Sequence, residues 1–214
     1  GWPVTALELD ARRIDLVLAE TRGCDLCVEH ADLASTDFTA LLGDERVVFA
    51  GNLPYQVTSP VLFGLLPALR DARPAGAVLM VQAEVARRMT AAAGGRDYGV
   101  LSVLLQAELD VERVARVKPG CFLPPPEVAS AVVRLVRRID PVDLGDDGRA
   151  LVKDLFGQRR KQIGGLLRRR PGVDAERVEA LLDRCGLVPR RRPETLSVED
   201  FARLRDAIRA EGAA

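Results

Sequence analysis

Val47-Val48-Phe49-Ala50-Gly51-Asn52-Leu53-Pro54-Tyr55, continued by Gln56-Val57-Thr58-Ser59-Pro60, is the stretch whose reading decides the fold. Its β-branched and aromatic start predicts a buried strand over Val47–Ala50. The run breaks at Gly51. Pro54 fixes its own φ and pushes Leu53 toward an extended conformation. The Asn52 carboxamide and the Leu53 carbonyl are therefore expected in a stiff corner just past the carboxyl end of a strand. Open α/β sheets bind their ligands there. Two such oxygens side by side can accept both hydrogens of a planar amino group, and the Tyr55 ring can stack on the base that carries it. Taken alone, the same residues also fit an ordinary strand-ending turn.

On the amino-terminal side, Val4–Leu9 reads as a strand ending in acids, followed by an amphipathic helix with Ile14, Leu16, Val17 and Leu18. An acid at such a strand end commonly accepts hydrogen bonds from ribose hydroxyls, which fits Glu8; Asp10 suits a helix start better. Cys24–His30 reads as a strand running into a loop with Asp32 and Leu33, where Asp32 also fits a simple turn. His30, the single histidine, reads as structural.

On the other side, Pro60–Leu66 reads as a helix, Ala77–Gln82 as a buried strand, and Gln82–Met89 as the opening of a helix. Val111–Val117 and Ala129–Val136 read as strands. Between them, Pro124, Pro125 and Pro126 exclude a central strand and favour a stiff polyproline segment that would hold Phe122 in place. Asp140–Gly148 reads as a Gly/Asp-rich linker. Helical patterns follow over Ala150–Phe156, Gln162–Arg169, Ala175–Cys185 and Val198–Arg209, the last opened by a capping-box-like Ser197-Val198-Glu199-Asp200.

A chain of 214 residues with 48% hydrophobic composition suits one medium domain plus a small one and excludes wholesale disorder. The net charge of +0 hides a split. Residues 1–60 hold ten acids, Asp44 and Glu45 among them, against four arginines, whereas Phe156–Arg170 holds six basic residues and no acid. That split suggests an anionic partner for the carboxyl-terminal part, or a solvated arginine-rich helix face. No apolar run approaches the ~20 residues of a bilayer span, and no signal-peptide pattern opens the chain, so a soluble, cytoplasmic protein is expected. Cys24 and Cys27 make a Cys-x-x-Cys without a second pair; buried, inert thiols are expected rather than a metal or redox site.

The Asn-Leu-Pro-Tyr stretch resembles motif IV of the amine-directed, S-adenosylmethionine-dependent methyltransferases. With Ala50-Gly51 before it and Ser59-Pro60 after it, the stretch resembles most the ribosomal RNA adenine dimethyltransferases. Further matches are Gln82-Ala83-Glu84-Val85-Ala86-Arg87-Arg88-Met89, with Ala83 in place of the family's Lys, and Tyr98-Gly99-Val100-Leu101-Ser102. Phe122 before the proline run, Phe156-Gly157-Gln158-Arg159-Arg160-Lys161, and the close over Leu187–Ser197 complete the series.

The resemblance implies a class I, Rossmann-like methyltransferase domain over 1–139 and a small all-α, RNA-binding domain over 140–214. It implies S-adenosylmethionine as cofactor, held by Glu8, Asp32, Leu33 and Asn52. Catalysis would rest on Asn52, Leu53, Pro54 and Tyr55, with Tyr55 and Phe122 stacking on the target base. Arg159, Arg160 and Lys161 would hold RNA phosphates. The implied reaction is N6,N6-dimethylation of two adjacent adenosines in a small-subunit ribosomal RNA hairpin, by a monomer acting on a 30S-type precursor.

The family's first strand and its Gly-rich loop have no counterpart in the sequence. A sheet lacking that strand would leave Val4–Leu9 and Val47–Ala50 with unpaired edges. A fragment that binds cofactor poorly or not at all is therefore expected. A non-catalytic RNA-binding or ribosome-assembly factor, or a methyltransferase for large-subunit RNA or DNA adenine, stands as the alternative.

Overall fold

Strands and helices alternate from the amino-terminal end. The computed structural model describes residues 2–42, 46–71, 74–169 and 175–212; Asp44, Glu45 and Arg170 lie outside the described residues. β1 (Val4–Glu8) leads through α1 (Ala11–Glu20) to β2 (Leu26–His30), and β3 (Val48–Asn52) leads through α2 (Thr58–Arg70) to β4 (Gly76–Gln82). Both pairs are parallel, ending in register at Glu8↔His30 and Asn52↔Met80. After α3 (Ala83–Met89) and α4 (Val100–Gln106), β5 (Leu109–Val117) and β6 (Ser130–Arg137) form an antiparallel pair. β6 lies beside β4, giving the order β3-β4-β6-β5.

The sheet is divided. β1 and β2 form a two-stranded unit, and among the described residues no ladder joins β1 to β3. β1 and β3, expected to lie on either side of one further strand, therefore each keep an unpaired edge among the described residues.

Alternation in β4 and β6 sends Ala77, Leu79, Val81, Ala131, Val133 and Leu135 to one face, each at most 2% exposed. Leu62, Leu65 and Leu69 of α2 meet them there. Burying a side chain of this size contributes about 1.5–3 kcal/mol. The intervening Val78 of β4 points to the opposite face and is 41% exposed. Leu7 and Leu33 pack against the same core, so side chains, not a ladder, hold the β1–β2 unit to the rest.

A second core joins α5 (Gly145–Gly157), α6 (Ile163–Leu167), α7 (Ala175–Arg184) and α8 (Val198–Gly212). It is organised by Phe156, which meets Tyr98 edge-on at 6.1 Å and stacks on Phe201 at 5.9 Å. The Ser197–Asp200 capping box forms: each backbone N–H donates to the other's side chain at 3.1 Å.

Three expectations are corrected, and one helix was not foreseen. The strand expected to be buried over Val47–Ala50 contains no buried residue as β3, and Val48 is 61% exposed, because β3 ends its sheet with one edge unpaired. The linker is shorter than Asp140–Gly148, because α5 already starts at Gly145, with Asp146 and Asp147 favouring its positive end. The sequence did not reveal α4: Leu105 faces the sheet core while Val103, Leu104 and Ala107 join the helical core, so its apolar residues show no helical stripe. Of the four cysteines only Cys185 is buried; Cys24, Cys27 and Cys121 are exposed. The first two flank or enter a two-stranded sheet that has too little cover to bury them. No described helix is long and apolar enough to cross a membrane.

Candidate active site

β3 carries the corner to the carboxyl end of the sheet. Leu53 donates its N–H to the Met80 carbonyl at 3.0 Å, extending the ladder one residue beyond Asn52. The Leu53 side chain is 5% exposed and anchors the corner in the core, whereas Asn52 and Pro54 are exposed. The Pro54 carbonyl accepts from the Val57 N–H at 3.2 Å and from the Thr58 hydroxyl at 3.0 Å, closing the turn into α2. No described residue hydrogen-bonds to the Asn52 carboxamide or to the Leu53 carbonyl oxygen. Two adjacent acceptors are thus left without a partner among the described residues, on a fixed backbone.

Tyr55, 37% exposed, is held at its far end. Its hydroxyl meets the Ser130 Oγ at 3.1 Å, and Ser130 is buried. Ser130 pairs with Val117 across β5 and β6. The loop from Lys118 to Ala129, which carries half-buried Phe122, springs from that pair, so both aromatic residues belong to the same end of the sheet. The Phe122 N–H is fixed to the Pro119 carbonyl at 3.1 Å, and the Leu123–Pro124 bond is cis. Sequence reasoning missed Ser130; its one signal was a polar residue opening an otherwise apolar strand.

The proposed cofactor ligands stand at the ends of the neighbouring strands. Glu8 ends β1, and its Oε1 accepts from the Asp10 N–H at 2.9 Å. Asp10 itself caps α1 and binds Arg12, which holds its carboxyl below the usual range. Asp32 follows β2 and accepts from the Ala34 N–H at 2.9 Å through Oδ1. In each of the two carboxylates the second oxygen has no described partner, and the Leu33 N–H likewise has none. These groups suit an adenosine, whose hydroxyls and amine donate while its ring nitrogen accepts. His30 donates to or accepts from nothing in this group; its ring meets the Leu9 carbonyl at 2.8 Å. Among the described residues, no three His, Cys, Asp or Glu side chains gather where a metal could sit.

Arg159, Arg160 and Lys161 are exposed in the turn after α5. Arg159 donates to the Arg96 carbonyl at 2.7 Å and so bridges to the loop between α3 and α4.

A family model described as ribosomal RNA adenine dimethylase matches residues 3–209. The chain is 42% identical over 209 residues to a ribosomal RNA small subunit methyltransferase A of Anaeromyxobacter sp. (strain K), covering 95% of this chain and 68% of that one. It is 40% identical to its namesake in Geobacter metallireducens, covering 98% and 78%. Among solved structures, a dimethyladenosine transferase from Plasmodium falciparum superposes with a TM-score of 0.79 at 22% identity, over 98% of this chain and 83% of that one. The 23S rRNA methyltransferase ErmE superposes with a TM-score of 0.68 at 28% identity, over 97% and 82%.

Proposed function

The chain belongs to the ribosomal RNA adenine dimethylase family, and from that footing we propose that it methylates the N6 amines of two adjacent adenosines in a small-subunit ribosomal RNA hairpin. S-adenosylmethionine is the proposed donor; when bound, it supplies an electrophilic methyl group on a sulfonium sulfur. The observation that carries the reading is the pair of open acceptors at Asn52 and Leu53, beside the tethered ring of Tyr55.

An adenine amine is a poor nucleophile because its lone pair is delocalised into the ring. Asn52 Oδ1 and the Leu53 carbonyl, each accepting one amine hydrogen, favour a pyramidal nitrogen and aim its lone pair out of the ring plane. They also stabilise the positive charge that grows on that nitrogen, until a proton leaves to solvent. Both acceptors are fixed before the reaction, so orientation and electrostatic preorganisation act together. No general base is required. Tyr55 and Phe122 grip the extruded base, with stacking worth ~1–3 kcal/mol per base. The Glu8 and Asp32 carboxylates and the Leu33 N–H hold the adenosine part of the donor.

In this reading, residues 1–139 form the methyltransferase domain, and 140–214 form the helical domain that presents Arg159, Arg160 and Lys161 to RNA phosphates. The two parts share α4. Because Glu8 and Asn52 stand on strands with no common ladder, the 214-residue chain is proposed to bind the donor weakly. The same division favours a second reading, an RNA-binding assembly factor without turnover. Tritium transfer from labelled S-adenosylmethionine to small-subunit RNA separates the two: incorporation supports the enzyme, and RNA binding without incorporation at saturating donor supports the factor.

A further inference from the structure

We propose that an arginine-lined groove on the flank of the sheet, outside the base-binding corner, is a second phosphate-binding site for the RNA strand. The proposal rests on the RNA reading of the active site and extends it to residues that reading does not use.

The groove, about 490 Å³ and open to solvent, runs between the end of α3, the loop from Thr90 to Gly99, and the edge strand β5. Val111, Ala91 and Ala92 give it an apolar floor, and Arg87, Arg96 and Arg113 stand along it. Two acids also line it, and both are already engaged. Asp97 lies 3.6 Å from Arg87, and Glu112 lies 2.9 Å from Arg134, which projects from the neighbouring strand β6. Arg96 and Arg113 keep their guanidinium groups without a carboxylate partner among the described residues. The groove therefore holds uncompensated positive charge over an apolar base, which suits a phosphodiester with its sugar.

The loop that carries Arg96 is clamped on three sides. The Gln106 amide donates to the carbonyls of Met89 and Ala91 at 2.8 and 2.9 Å. The Gly94 N–H donates to the Glu194 carbonyl at 2.6 Å. Arg159 donates to the Arg96 carbonyl itself at 2.7 Å. A loop already ordered loses less freedom when it binds. Through Arg159 the groove is also continuous with the turn holding Arg160 and Lys161. Arginines on an edge strand discourage strand pairing as well, but that role needs neither a groove nor a clamped loop.

Arg113 sits four residues before Val117, the register partner of Ser130 that tethers Tyr55. At ~3.3 Å per residue the groove is about 13 Å from the base corner along β5. An RNA strand whose adenosine occupies the corner would pass its neighbouring backbone across the groove.

The test is RNA binding without cofactor, so it does not depend on methyl transfer. Affinity of the full chain for a small-subunit RNA hairpin is measured by fluorescence anisotropy across a salt series. Variants are R96Q, R113Q, their combination, and R22Q, which removes an exposed arginine outside the groove lining. Removing one arginine from a phosphate lowers the slope of log affinity against log salt by about 0.7–0.9. The double variant is expected to lose more than tenfold in affinity and about 1.5 in slope, with R22Q close to the unaltered chain. An unchanged slope in the double variant, or an equal drop in R22Q, overturns the groove. Methyl transfer to a very short adenosine-containing oligonucleotide, which cannot reach the groove, is expected to be the same in the double variant and the unaltered chain. Loss of that transfer in R96Q/R113Q would also overturn the proposal, whereas its absence in every protein tested would count against the methyltransferase reading and leave the binding result to judge the groove.

Discussion

The Tyr55 hydroxyl and the Ser130 Oγ lie 3.1 Å apart, joining the corner after β3 to the first residue of β6. One hydrogen bond thereby sets where the aromatic ring stands relative to the Asn52 and Leu53 oxygens. Y55F keeps the stacking face and loses the tether, worth about 1 kcal/mol. It is expected to raise KM for RNA a few-fold with a modest fall in kcat. Y55A removes the face too and should cost ~1–3 kcal/mol more in kcat/KM. Steady-state methylation of both variants checks the order; equal effects would argue against the tether.

Glu108, buried at 7% exposure, holds two arginines from different parts of the chain: Arg70 of α2, with its Nη2 at 2.6 Å, and Arg149 of α5, at 3.2 Å. E108Q removes the buried counter-charge shared by both guanidinium groups where sheet and helical cores meet, leaving Arg149 only the exposed Asp146 among the described residues, at 3.5 Å. Breaking a fully buried pair costs about 3–5 kcal/mol. Arg70 is 40% exposed and solvent screens it, so about 2 kcal/mol is expected. Urea unfolding of E108Q against the unaltered chain measures the difference.

Gly76 opens β4 at φ +135, and a Cβ there would lie far inside van der Waals distance of the Leu135 carbonyl oxygen. That oxygen is backbone of the paired strand and cannot move aside cheaply. G76A is expected to destabilise by about 2 kcal/mol or more. A melting temperature within a degree of the parent would contradict the tight β4–β6 approach.

Much of this was legible beforehand because local chemistry set it. The strand ending at Asn52 and the corner that follows it come from a β-branched run stopped by Gly51 and Pro54. The two open edges follow from which strands the sequence supplies. The capping box at Ser197 is four residues of local hydrogen bonding. What was not legible depends on distant partners. Ser130 looks like any strand-opening serine until Tyr55 reaches it from 75 residues away. The Arg70–Glu108–Arg149 cluster and the groove between Arg96 and Arg113 join separate elements that no periodicity connects. α4 was hidden because two cores take its apolar residues from opposite sides.

Tyr98 is buried, and its phenol pKa is raised, first by burial and then by the negative charges of Glu199 and Asp200. A raised pKa means that the folded state keeps its proton while the unfolded chain loses it. The contribution to stability is whole below the unfolded value near 10 and shrinks as pH rises above it. Y98F cannot ionise, so its stability should fall less steeply above pH 10. Circular dichroism followed from pH 8 to 12 on both proteins reads the difference; parallel curves would show that Tyr98 is not the group involved.

The central claim is that Asn52 and the Leu53 carbonyl accept the adenine amine. It is tested most directly by tritium incorporation into small-subunit RNA at saturating S-adenosylmethionine, with N52A beside the unaltered chain and RNA affinity measured in parallel. Loss of one preorganised acceptor in the transition state is expected to lower turnover about 10²–10³-fold, while RNA affinity stays within about twofold. An N52A protein that keeps most of its turnover, or an unaltered chain that incorporates no label at saturating donor, would contradict the account.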